Sequence, residues 1–133
     1  MKGISTSISK TLIPGTILVC ADNSGAKTLG IINKLGGASG RKGRYPKAGI
    51  GDIVIASVKS GTPAYRKKKV RVVIIRQRTP IRRANGMRIR FEDNAGIIVT
   101  DTNLAVGTEV KGAMAREIVE RYVKLAGIAS RVV

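Results

Sequence analysis

The chain has 133 residues, 43% hydrophobic and 25% charged, with 25 Lys and Arg set against 8 Asp and Glu for a formal net charge of +17. That length and apolar fraction fit one folded domain with a core and argue against wholesale disorder. The absence of His and the single Cys exclude a zinc knuckle, an internal disulfide, c-type haem attachment and a His-based hydrolytic triad.

Residues 1–11 mix Ser, Thr and Lys with lone isoleucines and lack the apolar segment and cleavage site of a secretory signal. No apolar run approaches the roughly 20 residues that span a bilayer. Residues 16–21 form a continuous apolar stretch containing the unpaired Cys20, which points to a reducing cytosol. Asp22-Asn23-Ser24-Gly25 supplies a turn, and residues 28–34 follow as the second strand of a hairpin.

Residues 36–49 are Gly-rich and basic, and cannot pack a core. Gly40-Arg41-Lys42-Gly43 lacks the spacing and the Ser/Thr of a P-loop. Arg41, Lys42, Arg44 and Lys47, with Tyr45, suit contact with a phosphate chain or a base instead. A strand over 52–59 leads to a second basic loop, 61–69, ending in Arg66-Lys67-Lys68-Lys69.

Residues 70–75 are nearly all β-branched, as in a strand buried on both faces, and the strand continues through 76–80. Asn85-Gly86 predicts a type I′ hairpin turn. Beyond it, period two places Met87, Ile89 and Phe91 on the core and Arg88, Arg90 and Glu92 opposite. A turn at 93–96 and a strand at 97–100 follow. Locally connected strands without intervening helices predict a small five-stranded antiparallel barrel.

From residue 113 to 126 the period changes. Met114, Ile118, Tyr122 and Leu125 recur at helical spacing, Glu117/Arg121 and Glu120/Lys124 make i,i+4 pairs, and Gly127 suits a helix C′ position. One helix or two short ones satisfy this pattern. The expected organisation is a single domain over 1–133, with an N-terminal extension (1–11), a barrel with basic loops (12–112) and a C-terminal helical segment (113–133).

Between Arg41 and Arg90 stand sixteen basic residues and one acid, Asp52, so +15 of the net charge falls within fifty residues. Clustering of this kind points to nucleic acid, whose phosphates reward each cation by counter-ion release. Arg76, Arg78, Arg82, Arg83, Arg88 and Arg90 read as a recognition face, because guanidinium forks suit bidentate contacts to phosphate and base edges. Stacking platforms are few: only Tyr45, Tyr65, Phe91 and Tyr122 are aromatic. Structured RNA is therefore favoured over a sequence-tolerant single-strand binder on an OB-like barrel, which is the alternative. Asp22 and Asp52 sit at turns where an Asx role is their commoner use, so no enzyme is expected and no cofactor or metal is called for.

Several segments resemble one family: 21–27 (ADNSGAK), 51–54 (GDIV), 73–78 (VIIRQR) with Arg82-Arg83, 90–96 (RFEDNAG), Gly107-Thr108 and 112–117 (GAMARE). The chain is similar, over about 16–129, to the universal large-subunit ribosomal proteins numbered fourteen in bacteria, in the wording of the archaeal and eukaryotic branch. The resemblance implies a five-stranded barrel with a projecting β-hairpin and short C-terminal helices, in the cytoplasmic ribosome. It implies binding to large-subunit rRNA, with bridges to small-subunit rRNA. Neighbours would come from the protein families numbered three and twenty-four, and an anti-association factor would dock near the C-terminal part. Lys27 then joins the RNA-binding set, and Thr108, Lys111 and Arg116 become subunit-interface candidates. Glu109 stands where bacterial members carry a basic residue after Gly-Thr.

Overall fold

The computed structural model describes residues 6–36 and 45–133. Nine strands and two short helices are defined among them. β1 (Ile17–Cys20), β2 (Ala26–Lys34), β3 (Ile53–Gly61), β4 (Lys69–Arg76) and β7 (Ala95–Val99) form a closed barrel in the order β1-β2-β3-β4-β7.

The registers explain the closure. Leu18 faces Leu29, Leu29 faces Val58, Ile31 faces Ala56, Val54 faces Val72, and Val72 faces Ile98. All of these are buried, so one apolar residue in two from every strand fills the interior. The other face of β4 is buried too, as its composition predicts. Val73 and Ile75 lie beneath the C-terminal segment, where the Ala115 N–H donates to the Ile75 carbonyl and the Tyr122 hydroxyl donates to the Gly51 carbonyl.

The barrel is not antiparallel throughout. β1 and β7 pair in parallel, Val19 opposite Ala95 and Cys20 opposite Gly96. Five strands that alternate in direction bring the first and last together pointing the same way, so an odd-numbered barrel must contain one parallel seam. On its other side β7 packs closely against β4, and Gly96 permits this approach: a Cβ there would lie 2.4 Å from Val72 Cγ1 and 3.1 Å from the Val73 carbonyl. Gly96→Ala is therefore expected to destabilise the fold by about 1–3 kcal/mol through overpacking, measured as a lower midpoint in urea. An unchanged midpoint would mean that the contact between β4 and β7 has slack.

The hairpin after β4 also differs from its sequence reading. β5 (Ile81–Arg82) and β6 (Arg88–Ile89) pair over only two positions. The Gly86 N–H donates to the Arg83 carbonyl and the Arg83 N–H to the Met87 carbonyl. Gly86 has φ of 85°, whereas Asn85 does not have positive φ. A type I′ turn needs both residues left-handed; here Gly86 alone takes that conformation and the connection is longer. Met87, expected in the core, is 57% exposed, and Ile89 and Phe91 are half-buried, because the hairpin extends past the barrel.

The predicted helical stretch begins as a strand. β8 (Val110–Met114) pairs in parallel with β9 (Ala129–Val132), and the crossover carries α1 (Arg116–Arg121) and α2 (Val123–Ala126). The two helices break at Tyr122, whose φ of −123° and ψ of 79° are not helical. Gly127 is right-handed, with φ of −66°, and is not a left-handed C′ residue. The i,i+4 ion pair in α1 is Arg116–Glu120 at 3.7 Å, since Glu117 and Arg121 turn to partners outside the helix. No helix among the described residues is long and apolar enough to cross a membrane.

Candidate nucleic-acid interface

The strand directions sort the basic residues into two groups. At the end of the barrel where β3 runs into β4, Lys27, Arg66, Lys67, Lys68 and Lys69 are all exposed. The loop is tied down: the Thr62 N–H donates to the Gly25 carbonyl, Lys67 N–H to the Val58 carbonyl, and Val58 N–H to the Lys68 carbonyl. Lys67 takes a left-handed conformation, φ 64°, to make that turn. Lys59, outside the expected set, stands at the same end. Its stem crosses β2 at Gly30, where a Cβ would meet Lys59 Cε at 2.8 Å. A lone lysine inside a strand pattern carries no local signal of this placement.

The second group lies at the other end of β4, about 23 Å away along an eight-residue strand. Arg78, Arg82, Arg88 and Arg90 are exposed on or beside the hairpin, and Lys47 and Tyr45 stand on the loop before β3. Tyr45 is 66% exposed. That loop is anchored here by the Leu12–Ala48 bridge and by the Ile50 N–H, which donates to Gln77 Oε1. Arg41, Lys42 and Arg44 lie outside the described residues.

Two arginines expected at an RNA face are buried and committed within the protein. Arg76 donates through Nε and Nη2 to both oxygens of Asp93, at 2.9 and 3.1 Å, and through Nη1 to the carbonyls of Lys111 and Ala113. Arg83 donates from Nε and Nη2 to Glu117 at 2.8 and 3.3 Å, and from Nη2 to the Val133 carbonyl. The three subunit-interface candidates are exposed and spread over residues 108–116. Thr108 is held against Asn23 by two hydrogen bonds, Lys111 lies in β8, and Arg116 opens α1 beside Glu120.

Three buried acids serve the scaffold. Asp22 fills its Asx role, with Oδ1 accepting from the Ser24 N–H, and also latches the barrel seam, with Oδ2 accepting from the Ile98 N–H at 2.9 Å. Its Oδ1 accepts from Cys20 Sγ as well, and burial first, then Asp22, pushes that thiol up to about 12. Asp52, buried, gathers Lys34 at 3.1 Å, Lys10 at 3.5 Å and Arg121 at 4.0 Å. Glu117 is 1% exposed. Burial raises its pKa, but hydrogen bonds from Arg83, the backbone and Thr6 outweigh burial, and the carboxyl is held below the usual 4.5.

This last shift has a consequence for acid stability. A depressed folded value means that Glu117 contributes its full stabilisation above the ordinary glutamate range, and loses it as pH falls through the folded value. Unfolding midpoints are expected to drop below pH 4.5 in the native chain. Glu117→Gln, less stable at pH 7, should show a shallower acid limb; equal limbs would contradict the assignment.

A scan against family models matches residues 11–133 to one described as Ribosomal protein L14p/L23e. Among curated proteins, the chain is 46% identical to the large ribosomal subunit protein uL14 of Halorubrum lacusprofundi and 49% identical to that of Methanocella arvoryzae. The uL14 of Methanoregula boonei is 47% identical. Each match spans 133 residues and covers 100% of both chains.

Proposed function

Because the chain belongs to the ribosomal protein L14p/L23e family, we propose that, as a structural constituent of the large ribosomal subunit, it holds folded large-subunit rRNA on the two cationic ends of its barrel. The exposed set does this work: Lys27, Lys59 and Arg66 through Lys69 at one end, and Lys47, Arg78, Arg82, Arg88 and Arg90, with Tyr45, at the other. Arg41, Lys42 and Arg44 add to it. The observation that carries the reading is the division of labour among the basic residues. The deeply buried arginines, Arg76 and Arg83, are matched to carboxylates, while most exposed cations at the two ends make no ion pair among the described residues. Unneutralised cations at this density repel one another, and a polyanion relieves that repulsion.

Thr108, Lys111 and Arg116 face small-subunit rRNA at intersubunit bridges. The neighbours are large-subunit proteins of the families numbered three and twenty-four, and an anti-association factor docks near α1 and α2. No catalytic step is assigned.

Filter binding tests the RNA reading. Folded large-subunit rRNA should bind more tightly than an unstructured oligonucleotide, because Tyr45 is the sole exposed aromatic among the described residues and offers little for stacking single strands. Equal affinity for both would favour the single-strand binder and overturn this reading.

A further inference from the structure

Beside the hairpin, Arg78, Arg90, Phe91 and Glu92 line a shallow pocket of about 360 Å3. Its wall is preformed. The Arg78 N–H donates to Asn94 Oδ1 and its Nε to the Glu92 carbonyl, both at 2.8 Å, while the Phe91 N–H donates to the Gln77 carbonyl. Phe91 packs partly against the core, which anchors the ring, and it also lines the pocket.

Glu92 is the unexpected member. Six of the eight acids have their carboxylates engaged by a cation or a backbone N–H: Asp22, Asp52, Asp93, Asp101, Glu117 and Glu120. Glu92 makes no such contact among the described residues, although two guanidinium groups share its pocket. A carboxylate on a phosphate-binding surface repels the RNA backbone, so phosphate contact does not account for it. An ionised carboxylate only accepts hydrogen bonds. Among the nucleobases, guanine alone offers two adjacent donors, N1–H and N2–H, on its Watson–Crick edge. An aromatic ring and guanidinium planes are the groups on which unpaired RNA bases stack.

We propose that this pocket takes one unpaired guanine of RNA, stacked on Phe91 and the flanking arginines, with the Glu92 carboxylate accepting from N1–H and N2–H. The proposal rests on the RNA-binding reading and adds base choice to it.

The test titrates the isotopically labelled full chain with GMP, IMP, AMP, CMP and UMP, following backbone amides, and in parallel measures binding to large-subunit rRNA. GMP should move the amides of residues 90–94 at concentrations at least about fivefold below those needed with AMP, CMP or UMP. IMP, which lacks the N2 donor, should fall between. Glu92→Gln, at an exposed site, should remove the guanine preference and weaken rRNA binding about fivefold with an unchanged salt slope, since no phosphate contact is lost. Phe91→Leu keeps an apolar anchor in the core and should weaken all five nucleotides. Equal shifts by the five nucleotides, or rRNA binding by Glu92→Gln as tight as that of the native chain, would overturn the pocket while leaving the RNA reading intact. Loss of rRNA binding by the native chain would overturn both.

Discussion

Arg83→Met is expected to lower stability by about 3–5 kcal/mol, the range for removing one partner of a buried ion pair. Arg83 ties together three segments: its own hairpin, α1 through Glu117, and the residue that follows β9 through the Val133 carbonyl. Without the guanidinium, Glu117 stays buried with the Thr6 hydroxyl, 3.0 Å away, as its remaining side-chain partner. The uncompensated charge is what makes the change severe, so Arg83→Met with Glu117→Met should recover most of the loss. Urea unfolding of the single and double variants measures both numbers. A single variant that loses less than about 1 kcal/mol would place Arg83 among ordinary surface cations.

The second large effect falls on RNA binding instead of stability. Replacing Arg66, Lys67, Lys68 and Lys69 with Ala removes four exposed cations from one end of the barrel. With each phosphate contact contributing about 0.7 to 0.9 to the slope of log affinity against log salt, the slope should fall by about three. Stability should hold or rise, because the loop is anchored through backbone hydrogen bonds at Thr62, Lys67 and Val58, and self-repulsion is reduced. Arg83→Met should show the opposite pattern, less stable with the slope nearly retained. A quadruple variant with the native slope would remove this end from the RNA contact.

The contrast between these variants marks where sequence reading stops. Arg76, Arg78, Arg82 and Arg83 look alike along the chain, and all were expected to meet RNA. What separates them is a partner far away: Asp93 for Arg76, 17 residues on, and Glu117 for Arg83, 34 residues on. Glu117 has an i,i+4 neighbour in Arg121, but such a surface pair is worth only about 0.2–0.5 kcal/mol. Leaving Arg83 and Glu117 buried and unpaired costs several times more, and the long-range pair wins.

Legibility of the fold followed the same rule. The barrel strands could be read because each carries its own period, and the apolar run through Val72–Ile75 announces two covered faces. Alternation at Met87, Ile89 and Phe91 is equally clear, yet only Ile89 and Phe91 pack partly against the core, and Met87, at the projecting end of the hairpin, is exposed. Met114 sits four residues before Ile118, as in a helix, but enters the same buried layer from strand β8. Period two places Glu92 only on the face opposite the core, and its pocket exists only once the 90–94 segment is bonded against Gln77 and Arg78.

Lysine acetylation with and without bound large-subunit rRNA, read by peptide mass spectrometry, tests most directly whether both ends of the barrel hold RNA. Protection of Lys27, Lys59 and Lys67 through Lys69 at one end and of Lys47 at the other, with Lys124 on α2 still modified, is the predicted result. Equal modification of all these lysines in the presence and absence of RNA would contradict it.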